Sequence, residues 1–243
     1  MLKRIIIILG LFALVCYLAV AGVIYRIGSE PMSCKEVKVN IKDIDEKTFL
    51  TESDILQLFR KLKLKLVGNR VDSINTYEIV RLIENNKLVR RAYCYHTPDS
   101  SLRVDIEQRK PVLRVQSTTI GDFYIDKEKI FMPVQVVIPM QIPIATGYIS
   151  KETVENELLP IAEYLSDNGF WRDAITQIYV NTNGDIELIP RVGHHSILIG
   201  DSYNLEEKLD NVRTFYDKVL NKKGWNYYKI INVKFANQVI GEK

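Results

Sequence analysis

From Ile5 to Tyr25 the chain runs for twenty-one residues without a charge, beginning IIIILGLFALVCYLAV. As a helix this run would be about 31 Å long, close to the hydrocarbon thickness of a bilayer. A cleaved signal peptide competes with a retained anchor, because Ala19-Val20-Ala21 has the small-x-small form of a cleavage site. Against cleavage, the apolar run continues through Gly22-Val23-Ile24-Tyr25 with no polar break before the cut. The basic flanks, Lys3 and Arg4 against Arg26, differ too little to orient the span by charge. Four residues before the run and more than 200 after it fit a signal anchor with the bulk translocated. Either reading places the remainder outside the cytoplasm.

Beyond a short linker with Gly28 and Pro31, the pattern changes to amphipathic pieces. Val37, Val39 and Ile41 alternate with polar residues, the period of a half-buried strand. Thr51 to Asp54 can cap a helix that ends near Lys61, with Leu50 and Ile55 at staple positions. Leu62 to Asn69 alternates leucine with lysine. It reads as a solvated extended segment with leucines inward, or as a basic patch that touches anionic headgroups. Asn75 and Glu78 open a second helix, with Ile79, Leu82 and Ile83 along one stripe. Two strands follow. Leu88–His96 sets Tyr93 and Tyr95 opposite Ala92 and Cys94, and Leu102, Val104 and Ile106 alternate after a turn at Pro98. The order is β-α-α-β-β, in which two helices cover a small sheet.

From Val112 the elements shorten. Phe123-Tyr124-Ile125 and Ile130-Phe131-Met132 flank Asp126–Lys129 as a hairpin. Pro133, Pro139 and Pro143 punctuate an extended stretch unsuited to a central strand. Val154 to Leu165 marks a helix with Pro160 as a kink and Gly169 as its stop. Strands are expected at Ile175–Val180, Asp185–Ile189 and Ile197–Ile199. Asn204 and Glu207 open a helix bearing Leu205, Leu209, Val212, Tyr216 and Val219, closed by Gly224. Tyr228–Ile240 reads as one extended final strand.

Charge adds an exclusion. The 243 residues carry 33 basic and 30 acidic groups, and Lys3 with Arg4 supplies two of the three surplus charges. Such balance argues against a nucleic-acid partner. The sequence has no glycine-rich phosphate loop, CxxC or HExxH motif. His194 and His195 would point to opposite faces of a strand and cannot easily share a metal. Asp122 and Asp126 read as solvated hairpin residues, and Ser100 and Ser101 lack the context of a nucleophile. No enzyme, metal, cofactor or small-molecule substrate is therefore expected. Cys34 and Cys94 could bridge, although two separately buried thiols need no special explanation. A final strand often lies at a sheet edge, where unpaired backbone groups can receive another chain; it could equally be central and structural.

Several local marks carry a resemblance. They are Leu88-Val89-Arg90-Arg91-Ala92 before a strand, Pro98, and Leu102–Pro111 (LRVDIEQRKP), similar to an I-x-E-R-x-P-like junction. Phe123-Tyr124-Ile125-Asp126 opens a second domain, though the glycine common after that aspartate is absent. Ile189–His194 and Val233–Val239 resemble forms seen in Bacteroidetes-like members. Together with the element order, these residues resemble the bacterial FtsQ/DivIB cell-division proteins over nearly the whole chain.

The resemblance implies an α+β protein with a cytoplasmic tail at 1–4, a single transmembrane helix at 5–25, and a POTRA domain at 35–108. A mainly antiparallel β domain with two packed helices follows at 109–240. It implies a single-pass protein of the cell inner membrane, N-terminus cytoplasmic and ectodomain periplasmic. It also implies a non-catalytic divisome scaffold that binds an FtsB–FtsL-type pair by β-augmentation. The site carried over is Tyr228, Lys229, Ile230, Ile231, Asn232, Val233, Lys234 and Phe235, with Tyr216 nearby and Tyr93 and Tyr95 as recruitment contacts. On this reading Val233→Pro removes a strand donor and abolishes partner binding with the fold intact. The alternative is a POTRA-bearing transport or outer-membrane assembly factor, for which the region after Val112 is short of ten-residue alternating segments.

Overall fold

The computed structural model describes residues 2–27, 32–42, 50–134, 142–235 and 238–243, and within the first helix the side chains of 9–24. That helix, α1, covers Leu2–Ile27, and its described side chains are all exposed. Among the described residues no helix is long and apolar enough to cross a membrane. The sixteen residues from 9 to 24 would rise about 24 Å as a helix, short of the ~30 Å of a bilayer core. The side chains of Ile5–Ile8 and Tyr25, which complete the expected span, lie outside the described residues.

The chain divides into two compact units. The first comprises Met1–Asn40, Glu52–Ile83 and Ala92–Ile106. Its elements follow the expected order: β1 (Val37–Lys42), α2 (Glu52–Lys61), α3 (Thr76–Glu84), β2 (Val89–His96) and β3 (Leu102–Gln108), the sheet running β1-β3-β2. Ile55 and Phe59 on α2, and Ile79 and Ile83 on α3, are buried at four-residue spacing, the stripe a helix presents to a core. Leu102, Val104 and Ile106 are fully buried at period two. The Asn75 side chain accepts a bond from the Glu78 N–H at 3.2 Å and starts α3 as expected. Cys34 and Cys94 are free thiols; burial, with Cys34 nearby, pushes the Cys94 thiol up to about 12. Leu66 is buried, but Leu62 is exposed, so the leucines of 62–67 do not all point inward.

The second unit comprises Ile41–Thr51, Glu84–Arg91 and Glu107–Lys243. It is built on a nine-stranded sheet. The strands are β4 (Pro111–Ser117), β5 (Gly121–Asp126), β6 (Phe131–Pro133), β7 (Ile144–Gly147), β8 (Ile175–Val180), β9 (Ile186–Pro190), β10 (Ser196–Gly200), β11 (Ile230–Asn232) and β12 (Ile240–Glu242). Their order is β12-β11-β10-β9-β8-β7-β4-β5-β6. Antiparallel pairing dominates, as expected, but β4–β7, β7–β8 and β10–β11 are parallel. Parallel neighbours need crossovers. One is formed by α4 (Lys151–Thr153), a π-turn at Val154–Leu158, α5 (Leu159–Asp167) and α6 (Gly169–Ala174). A second, from β10 to β11, is α7 (Leu205–Phe215), a π-turn at Tyr216–Leu220 and α8 (Asn221–Lys223), while β4 reaches β7 by way of the β5–β6 hairpin. Ile186 and Leu188 on β9, and Ile197 and Ile199 on β10, join helix residues Leu158, Ile161, Leu165, Leu209 and Val212 in one core.

Three local expectations are corrected, and the surroundings of Pro160 are defined. Tyr228–Ile240 is not one strand: the Asn232 side chain accepts from the Lys234 N–H at 3.1 Å, an Asx turn that ends β11. Ala236 and Asn237 of the expected strand lie outside the described residues, as does Pro139 of the proline-punctuated stretch. Gly169 does not stop a helix. Asn168 leaves the helical region and caps α6 by accepting from the Trp171 N–H. Pro160 follows a π-helical turn that ends two residues upstream at Leu158, an irregularity that accommodates a residue without an N–H. Asn204 makes no side-chain cap and sits at φ 50°. In the turn before the helix, the Glu157 carboxylate accepts from the Ser202 N–H at 2.7 Å.

Candidate partner-binding edge

The geometry of the C-terminal edge begins with an aromatic block. Tyr216 and Trp225 rings lie 4.9 Å apart, and Trp171 and His195 lie 6.2 and 5.4 Å from Tyr216. His195 Nε2 and the Tyr216 hydroxyl are 2.9 Å apart, while Nδ1 is buried without a hydrogen bond of regular geometry. Burial pushes the imidazole below its ordinary value, with the Trp225 carbonyl pulling weakly the other way. Burial likewise raises the Tyr216 hydroxyl. A neutral ring that accepts from the tyrosine O–H fits both shifts. His194, by contrast, is exposed, so the two histidines do face apart. Tyr216, carried over as a partner contact, is 5% exposed and serves as a core post.

On this support the sheet runs out to its edge. β11 lies parallel to β10, with Ile231 opposite Ile197. β12 then pairs antiparallel on the outer side of β11, Ile230 with Glu242 and Asn232 with Ile240. The strand expected to be open is therefore covered by the chain's own last strand, and among the described residues the outer edge belongs to β12. Tyr228 fixes this arrangement: a Cβ at Gly241 would lie 2.5 Å from its ring, and the ring also meets Phe215 at 5.5 Å. The Lys229 N–H donates to the Glu242 carbonyl at 2.7 Å.

The remaining carried-over residues divide sharply. Ile231 and Val233 are buried, and the Val233 N–H donates to the Leu198 carbonyl at 2.9 Å. Val233→Pro would thus damage the core and is no clean probe of binding. Ile230 and Asn232 are half-buried, Lys229 is exposed, and Lys234 Nζ pairs with Asp185 at 2.7 Å. Phe235 is 56% exposed and borders a groove of about 190 Å³ with Tyr203, Lys208 and Val233. Tyr203, Tyr227 and Ile240 are also exposed. Sequence reading did not single out Tyr203 and Tyr227, because aromatics in turns carry no period, and took Ile240 only as the end of the expected final strand. Tyr93 and Tyr95 belong to the first unit, exposed on β2, and the Tyr95 hydroxyl donates to Asp105 at 3.1 Å.

The two aspartates of the β5–β6 hairpin are structural. Arg114 grips Asp122 through two nitrogens, at 3.3 and 2.8 Å. Asp126 is 4% exposed; one of its oxygens accepts from the Glu128 and Ile130 N–H groups and the other from Arg109 Nη1 at 2.8 Å. Arg109 also reaches Glu128, holding that carboxyl below the usual range. An open cleft of about 450 Å³ is lined by Arg90, Asp126 and Glu128, and Arg90 itself pairs with Glu128 at 2.7 Å. Among the described residues no cluster of His, Cys, Asp and Glu could hold a metal.

The fold thus defines a two-part α+β protein, a β-α-α-β-β module ahead of a mixed sheet covered by helices. Residues 110–242 match the family described as FtsQ/DivIB, C-terminal related, and residues 32–107 match that of a POTRA-like domain. The chain belongs to the FtsQ/DivIB family, whose members are membrane-anchored, non-catalytic cell-division scaffolds. No curated protein matches it.

Proposed function

We propose that this chain is a membrane-anchored division scaffold that receives an extended segment of a single-span division protein of the FtsB–FtsL type along the β12 edge. α1 is the anchor, with the two units held outside the cytoplasm. The observation that carries the binding site is the edge itself. β12 is three residues long, has a strand on one side only among the described residues, and carries exposed Ile240, with exposed Phe235 five positions earlier in the chain. Main-chain bonds to such an edge supply affinity, and neighbouring apolar groups supply selectivity. Affinity capture from cells with full-length protein tests this. Wild type is expected to retain division proteins, and Ile240→Asp with Phe235→Asp is expected to lose them at unchanged thermal stability. Retention of the same partners by the double variant would move the site away from this edge.

A further inference from the structure

The last turn of α2 and the segment after it bear a dense set of cations. Arg60, Lys61, Lys63 and Lys65 are exposed, and none of the four has a carboxylate within salt-bridge distance among the described residues, whereas the neighbouring Arg70 is neutralised by Asp72 at 2.6 Å. The segment ends α2 in a Schellman arrangement: the Lys63 N–H donates to the Arg60 carbonyl and the Leu64 N–H to the Phe59 carbonyl, both at 3.0 Å. The left-handed position of that motif favours glycine, yet here it holds Lys63 at φ 55°. A charged side chain is therefore kept where the backbone disfavours any side chain.

Apolar groups accompany the charge. Leu62 is 43%, Val67 52% and Met32 59% exposed. Singly these would need no explanation. Their placement supplies one: the Gly68 N–H donates to the Cys34 carbonyl, the Cys34 N–H to the Asn69 carbonyl and the Val71 N–H to the Met32 carbonyl, each at 2.8 Å. These bonds clamp the loop to the first described residues after α1. Met32 follows Ile27, the last residue of α1, by five positions, so their Cα atoms are at most about 18 Å apart.

We infer that Arg60–Val67 with Met32 forms a second membrane contact, docking the first unit onto a surface of anionic lipid headgroups. This rests on α1 being the anchor. The cations face the phosphates while Leu62, Val67 and Met32 enter the interfacial layer, the division of labour seen in interfacial segments. The patch needs no particular lipid, only negative surface charge.

The test places the full chain in vesicles of phosphatidylcholine alone and in vesicles that also contain phosphatidylglycerol. Amide hydrogen exchange is then followed over 60–67. The expected result is slower exchange with phosphatidylglycerol, reversed by high salt. The Arg60→Gln, Lys61→Gln, Lys63→Gln, Lys65→Gln variant should lose it, each cation contributing about fivefold to the docking equilibrium. Exchange in β3 checks that this variant is folded. Identical exchange in both lipids, with the chain still retained after a high-salt wash, would overturn the inference alone. Release of the chain by the wash would overturn the anchor reading and the inference with it. Protection by a soluble acidic polypeptide but not by phosphatidylglycerol would overturn it in favour of an acidic protein partner.

Discussion

Two strands of this molecule invited the same reading, and the structure treats them oppositely. The final strand, favoured by its position in the chain, is cut to three residues at β11 and flanked on both sides, by β10 and β12. The Leu88–His96 strand, the weaker choice, is realised as the eight residues Val89–His96, an edge among the described residues, with two exposed tyrosines. An edge is defined by what pairs beside a strand, and nothing local to the strand encodes that. In the second unit the outer place went to β12, whose Gly241 admits the Tyr228 ring.

The contrast can be broken most severely at the sheet centre. At Gly147, φ is 104° and an added Cβ would lie 2.0 Å from the Val180 carbonyl, so Gly147→Ala should cost about 3 kcal/mol or more. The chain's two tryptophans, Trp171 and Trp225, both lie in the second unit. Their fluorescence during denaturation therefore reads that unit alone, and an unchanged midpoint would show that β7 and β8 do not pack as described. Next comes the post beneath the edge. Tyr216→Phe leaves His195 Nε2 buried without a donor and should cost about 1–2 kcal/mol by the same readout. A titration sharpens it: because the folded His195 pKa is lowered, the unfolded chain binds the extra proton. Stability is full above the ordinary value of 6.5 and falls as pH drops below it. His195→Leu should flatten that slope.

Two smaller effects concern the first unit. Lys63→Gly should stabilise it by about 1 kcal/mol, because glycine meets no penalty at φ 55°. Amide exchange of Val104 and Ile106 reports the change; a loss of protection would contradict the left-handed assignment. Tyr95→Phe removes an exposed bond to Asp105 and should cost less than about 0.5 kcal/mol by the same measurement. A large loss would mark Tyr95 as a structural residue rather than part of an available surface.

Much of this architecture was legible because its elements are periodic. The β-α-α-β-β order, the Asp126 hairpin and the helix bearing Leu205, Leu209 and Val212 each display their apolar faces in sequence. The glycine at φ 98° after Lys223 ends that last helix as expected. What was hidden depends on partners distant in the chain. The aromatic character of Tyr216 was visible but its burial against His195 and Trp225 was not. Asn232 looked like one polar position of an alternating strand, while its side chain in fact terminates β11. The parallel pairing of β7 with β4 and β8 is a choice among topologies that no local pattern records. For the candidate site, nothing in the sequence signalled that the carried-over strand would be covered by β12, because that pairing depends on Gly241 meeting the Tyr228 ring.

The most direct measurement is site-specific photocrosslinking in living cells, with a photoreactive residue at Ile240, Phe235 or Tyr95 in the full-length protein. The proposed function predicts adducts with a single-span division protein from Ile240 and Phe235. Adducts with that protein from Tyr95 alone would contradict it and transfer the partner to β2.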